Sequence, residues 1–259
     1  MRICLKNSPG NRFGKMKISI FKDATELGRE AAKLASLKIN ESIQTQGDAR
    51  IVVSTGSSQF ELFKALIKED TDWSKVEIFH LDEYINLPLT HKASFRKYLL
   101  DRFINLIKVK KFYAVETEGD LEKNIKLLSF EIRKRPIDVG LIGIGVNSHI
   151  AFNDPPADFK TQEPYITVIL DNKCKIQQVN EGWFKSVDDV PDKAISMSVW
   201  QIMQCKTIIS CVPHEVKADA VKMTFISPTD NMVPSSILKQ HSDFNLFLDR
   251  SSAGGIITF

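Results

Sequence analysis

Short apolar runs recur along the chain, each followed by a small or polar turn and then by an amphipathic segment. That alternation limits the fold more than any other feature. The runs fall at 18–21, 49–54, 75–80, 112–115, 137–144, 165–170, 194–199, 207–212 and 244–249. Helical spacing fills most gaps between them. One helix is capped by Asp23 or Thr25 and runs to about Ile43, one starts at Phe60, and one is opened by Ser94 and Phe95 and reaches Ile107. Another spans Asp120 to Arg135 and is stopped by Pro136, a further one starts at Pro213-His214-Glu215 and carries Lys217, and a short one lies at 235–241. Strands alternating with helices predict an α/β fold: a three-layer, mostly parallel, doubly wound (Rossmann-like) sheet with helices on both faces.

At 259 residues the chain has room for one large α/β domain. A clean strand pattern begins at Met16. Residues 1–15 are basic without a long apolar core, so they read as a disordered N-terminal extension rather than a signal peptide, with a single domain over 16–259. Residues 156–192 are polar and irregular around one strand, a pattern that predicts a lid. Thirty-five basic and 32 acidic residues are scattered and leave a net charge of +3, which points to neither a nucleic-acid nor a membrane-surface partner. A small anionic ligand needs only a local basic pocket. Cys4, Cys174, Cys205 and Cys211 form no CxxC pair, which suits a reducing, cytoplasmic setting and shows no zinc spacing. No apolar run approaches membrane-spanning length.

Three turns at strand ends carry the chemistry. After the run at 49–53 comes Ser54-Thr55-Gly56-Ser57-Ser58, small and polar, leading into a helix whose first N–H groups and positive dipole end make a natural phosphate cradle. No lysine follows at Walker A spacing, and a capped helix start without a ligand would read the same way. After 75–80 come two adjacent carboxylates, Asp82 and Glu83. A strand end can hold one partly desolvated and so tune it as a base, whereas helix capping would leave both inert. After 137–144 comes Gly145-Val146-Asn147-Ser148-His149, then Asp154-Pro155-Pro156. The spacing Gly143, Gly145, Ser148 is one glycine short of a dinucleotide fingerprint, and no amphipathic helix opens directly after it.

Taken together, the segments 54–58, Leu81-Asp82-Glu83-Tyr84 with Leu87-Pro88, and Gly143 through Pro155 resemble the glucosamine-6-phosphate deaminase/isomerase family, in the family's order and over about Met16 to Asp249. Residues 177–184, Ser227-Pro228 and 235–241 also resemble deaminase-like members. The resemblance implies conversion of glucosamine 6-phosphate to fructose 6-phosphate and ammonia, or the same reaction on the galactosamine epimer, in amino-sugar catabolism. It implies Asp82 as the base moving a proton between C2 and C1, and His149 as the group that opens the pyranose ring. Asp154 would assist that histidine, with Asn147 beside it. Thr55, Gly56, Ser57, Ser58 and Lys217 would hold the phosphate, with Glu83 and Gly145 completing the substrate site. No metal or organic cofactor enters that scheme, and the resemblance leaves room for a homo-oligomer.

The chain departs from the pattern in places. The best-known deaminases have Asn-Asp-Gly-His where this chain has Val146-Asn147-Ser148-His149, so an aspartate is an amide and a glycine is a serine, which costs more if that position needs φ > 0. Asp154 is one methylene shorter than the family's glutamate, and Gly182 falls near the family's phosphate-contacting arginine. A 6-phosphogluconolactonase-type hydrolase and a non-catalytic sugar-phosphate-binding protein remain the alternatives.

Overall fold

The computed structural model describes residues 2–3 and 16–257. The expected N-terminal extension, apart from Arg2 and Ile3, lies outside the described residues. The chain opens with β1 (Arg2–Ile3), β2 (Lys17–Phe21), α1 (Ala24–Gln46), β3 (Ala49–Val53), α2 (Phe60–Leu66) and β4 (Val76–His80). It continues through β5 (Asp82–Tyr84), α3 (Phe95–Arg102), β6 (Lys111–Tyr113), α4 (Leu121–Arg133), β7 (Val139–Leu141) and β8 (Tyr165–Ile169). The last elements are α5 (Asn172–Asn180), β9 (Lys193–Met197), α6 (Val199–Ile202), β10 (Thr207–Val212), α7 (Ala218–Ile226) and β11 (Phe244–Asp249).

Among the described residues the main sheet has the order β1-β2-β11-β10-β7-β3-β4-β6, parallel throughout except for β1 at the edge. Its central strand β3 is buried along its whole length, as expected where helices cover both faces. Ile51 and Val53 meet α1, α2 and α3 on one face, through Ala31, Ala35, Leu62, Phe63 and Leu99. Val52 turns to the other, where Ile132, Ile202 and Val221 of α4, α6 and α7 pack. Asp23 caps α1 by accepting the Glu26 N–H at 2.9 Å. No helix among the described residues is long and apolar enough to cross a membrane.

The strand order fixes where a ligand can sit. From β3 the chain moves outward through β4 to β6, returns to β7 on the other side of β3, and then builds outward through β10 and β11. The order therefore reverses between β3 and β7, and the crevice beyond the carboxyl ends of those strands is the usual ligand site of such sheets. The Ser54 N–H donates to Leu141 O at 3.0 Å and ties the two strand ends together there.

Three features differ from the sequence expectations. A second, antiparallel sheet, β5-β9-β8, stands beside the main one. The region 156–192 is not irregular, because it contains α5 as well as β8. The helix expected to reach Ile107 also ends earlier, at Arg102, followed by a 3-10 turn.

Candidate active site

Four strand ends deliver side chains to one pocket, which is lined by residues 54–58, Asp82, Gly145, His149 and Lys217, with Gln177, Gln178 and Glu181 from the far side. The pocket sits at the β3/β7 reversal.

The first wall is the turn after β3. Gly56 has φ 102° and ψ 166°, a conformation that only glycine adopts without strain, and it swings the chain into a 3-10 turn (Ser57–Gln59) continuous with α2. The opening N–H groups of that run have no intrahelical acceptor. Ser54 Oγ is buried among them without a partner in the described residues. Opposite stands Lys217, only 7% exposed. Among the described residues no hydrogen bond or ion pair engages its ammonium. Burial pulls its pKa below the ordinary lysine value, while Glu181 and Cys174 partly oppose that pull. The turn that brings Lys217 in is itself anchored: the His214 N–H, in a residue with φ 78°, donates to Asp249 Oδ2 at 2.9 Å. A buried ammonium facing free N–H groups and hydroxyls is a site for an anion with several oxygens.

The second wall is Asp82. The chain leaves β4 at His80 and immediately joins the second sheet, so Asp82 is held at a strand end with 5% exposure. Burial raises its pKa well above the usual carboxylate range, and the nearby Glu83 and Asp154 carboxylates add to this, against one backbone N–H from Phe152. A carboxylate so placed is a stronger base than a solvated one. Glu83, expected beside it in the substrate site, turns away. Its carboxylate is fully buried and accepts from the Tyr84, Phe95 and Arg96 N–H groups and from Ser94 Oγ, at 2.7 to 3.1 Å. It therefore organises the start of α3, because neighbouring strand residues face opposite ways.

The third wall is the loop after β7. The Gly145 N–H donates to His149 O at 2.9 Å and the Ser148 N–H to Gly145 O at 3.0 Å, closing a tight turn. Ser148 sits at φ 67°, so the position does favour glycine. The imidazole of His149 lies directly over Gly145, where an added Cβ would fall 2.2 Å from Nε2. At its other end Nδ1 is 3.0 Å from Asp154 Oδ1, an ion-pair distance, though off the line of a good hydrogen bond. Asn147 does not act on the imidazole. Its amide donates to Asp154 Oδ1 at 3.1 Å and Asp171 Oδ2 at 3.4 Å, and its Oδ1 accepts the His149 backbone N–H at 3.2 Å. The Asp171 N–H adds a bond to Asp154 Oδ2 at 3.2 Å. Burial works to raise the Asp154 pKa, but His149, Asn147 and the Asp171 N–H outweigh it and hold the group below its ordinary value. Asp154 is thus the carboxylate against the Nδ1 side of the imidazole, with Asn147 bonded to that carboxylate and Nε2 on the opposite side, over Gly145.

The fourth wall comes from the segment 177–184, whose side chains the sequence did not single out as site residues. Helix α5 brings Gln177, Gln178 and Glu181 to the pocket. Gln177 Oε1 accepts the Val146 N–H at 3.2 Å and its Nε2 donates to Glu181 Oε1 at 2.7 Å, tying helix to loop. Trp183 Nε1 donates to Glu181 Oε2 at 3.2 Å. The N-cap Asp171, accepting the Lys173 and Cys174 N–H groups, was the available signal. The same helix start brings Cys174 close to the histidine, and donor atoms of His149, Asp154 and Cys174 lie within 4.8 Å of one another.

The model of the family described as glucosamine-6-phosphate isomerases/6-phosphogluconolactonase matches residues 22–247. A glucosamine-6-phosphate deaminase of Streptococcus equi subsp. zooepidemicus is 32% identical over 239 residues, covering 92% of this chain and 98% of its own. That of Clostridium novyi is 35% identical over 246 residues, covering 92% and 99%. The solved structure of a monomeric glucosamine-6-phosphate deaminase superposes with a TM-score of 0.84 at 28% identity, over 92% of this chain and 99% of that one. A 6-phosphogluconolactonase from Shewanella baltica shares the fold, with a TM-score of 0.72 at 21% identity over 90% and 97% of the two chains.

Proposed function

The chain belongs to the glucosamine-6-phosphate isomerase/6-phosphogluconolactonase family, and we propose that it catalyses the deaminating isomerisation of glucosamine 6-phosphate to fructose 6-phosphate and ammonia. The observation that carries this reading is one pocket holding a desolvated carboxylate, a carboxylate-backed histidine and an unpaired buried ammonium facing a polar turn.

The phosphate dianion docks between Lys217 and the 55–58 turn, in charge-assisted hydrogen bonds that fix the far end of the sugar. His149, oriented by Asp154, gives a proton to the ring oxygen at Nε2 while the anomeric hydroxyl loses one, and the ring opens to the aldehyde. Asp82 then removes the proton on C2, next to the carbonyl, leaving an enolamine between C1 and C2. Return of that proton to C1 makes an iminium at C2. Water adds to the iminium and ammonia departs, leaving the ketose. A carboxylate whose proton affinity is raised by burial suits abstraction from carbon better than a solvated one.

The test is purified protein with glucosamine 6-phosphate and, in parallel, the galactosamine epimer and 6-phosphogluconolactone. Ammonia and ketose phosphate in equal amounts from glucosamine 6-phosphate are expected. Lactone hydrolysis without ammonia from either amino sugar would overturn the proposal.

A further inference from the structure

We propose that His149, Asp154 and Cys174 form a binding site for a borderline-soft divalent cation such as zinc, and that its occupancy arrests the enzyme. The three donors come from three separate segments: the loop after β7, the turn beyond it and the first turn of α5. Their donor atoms nevertheless lie within 4.8 Å of one another. Donors around a tetrahedral zinc, at about 2.0–2.3 Å from the metal, stand roughly 3.3–3.8 Å apart, so small side-chain movements complete the shell. Nδ1 of His149 and Oδ1 of Asp154 are already 3.0 Å apart.

Two further observations point to a ligand. Nδ1 is buried and, despite its closeness to Asp154, makes no well-directed hydrogen bond among the described residues. Cys174 is fully buried, carries a free thiol and packs beside the Asp154 carboxylate, an unusual neighbour for a cysteine that only fills space. Imidazole, thiolate and carboxylate together are a zinc-type donor set rather than a magnesium or calcium one. Since His149 lines the pocket, the cation enters from there. As the sulfur–metal bond forms, the thiol proton leaves to solvent, and thiolate and carboxylate then balance the two positive charges.

The metal would take the nitrogen that Asp154 orients and would pin α5 to the histidine loop, so ring opening stops. The inhibition rests on the role proposed above for His149; the binding does not. Cysteine spacing alone gave no hint of this site, because only one of its ligands is a cysteine.

The experiment uses the full chain after chelator treatment. Zinc is titrated and the metal retained after desalting is counted, cobalt binding is followed by its thiolate charge-transfer band, and ammonia release is measured at each zinc level. Cys174→Ser and Cys174→Ala are carried in parallel. Wild type should retain zinc at one site, show the cobalt band and lose turnover as zinc rises. Both variants should lose the band and weaken binding by at least the roughly 10- to 100-fold that even an outer-shell partner is worth, with zinc-free turnover preserved. Zinc inhibition that persists in the variants, or a wild type without the cobalt band, would overturn the site. A wild type with the band but no turnover would instead count against the proposed reaction. Should both variants fail to fold, the cobalt band of wild type still decides.

Discussion

Gly145→Ala probes the histidine without touching it. The new methyl would lie 2.2 Å from His149 Nε2, 2.3 Å from Cε1 and 2.5 Å from Cδ2, under the face of the ring. Ordinary contact between such atoms is about 3.5 Å, so the imidazole has to lift by roughly 1.3 Å. That movement breaks its 3.0 Å approach to Asp154 and carries Nε2 away from the position it needs. A displacement of about 1 Å at a reacting group costs on the order of 100-fold in rate. Gly145 does not have positive φ, so alanine brings no backbone strain, and the change in stability should stay within about 1 kcal/mol. Gly143→Ala is the control two residues earlier, because a Cβ there meets nothing closer than 3.5 Å. Steady-state ammonia release and thermal unfolding of both variants make the assay. The expectation is a kcat near one hundredth of wild type for Gly145→Ala, little change in KM, and a Gly143→Ala enzyme close to wild type. Equal losses in both variants, or full activity in Gly145→Ala, would refute the link between that glycine and the histidine.

Asp82→Asn should be more stable than wild type at neutral pH, by on the order of 1 kcal/mol, since each tenfold weakening of the acid in the fold corresponds to about 1.4 kcal/mol. The sign follows from the raised native pKa: the stability linked to a protonated Asp82 is complete below the unfolded value near 4 and is lost as pH climbs through the higher native value. Melting curves should therefore converge as the solution is acidified, and a variant less stable than wild type at pH 7 would contradict this. Glu83→Ala should cost about 3–5 kcal/mol in denaturant unfolding, because it strips a buried acceptor from three N–H groups and Ser94 while leaving Arg96 beside the gap. Its folded fraction should keep a normal kcat, and a stable but inactive variant would return Glu83 to the chemistry. Lys217→Met should raise KM for the phosphorylated sugar roughly 10- to 100-fold, the worth of a charged hydrogen bond, and should abolish thermal protection by inorganic phosphate. Unchanged protection would remove Lys217 from the phosphate site.

Much of the architecture was legible because the parallel strands are continuous apolar runs, which no exposed segment can afford. The strand-end turns were legible for a similar reason: glycines, hydroxyls and carboxylates interrupt those runs abruptly. The second sheet was hidden. Its strand β5 is only Asp-Glu-Tyr, and its pairing with Ser196, Ile195 and Ala194 depends on a segment more than a hundred positions away. Helix α5 was hidden because its buried residues are Cys174 and Gln178, so no apolar stripe announces it. Glu83 was placed in the substrate site by the resemblance, although strand alternation argues that Asp82 and Glu83 point apart. Asn147 shows the opposite limit. The sequence recorded the loss of an acid at that position but not what the amide does there: it donates to Asp154 and Asp171 rather than acting on the imidazole.

The most direct measurement follows the hydrogen on C2. Wild type and Asp82→Asn would be run side by side in deuterium oxide with glucosamine 6-phosphate, reading ammonia, ketose phosphate and the hydrogen isotope at C1 of the ketose. Wild type should release the two products in equal amounts, with C1 receiving either the original C2 hydrogen or solvent deuterium. Asp82→Asn should bind the phosphorylated sugar yet yield neither product nor label. Ammonia and ketose formed by Asp82→Asn at the wild-type rate would contradict the assignment of the buried carboxylate as the base.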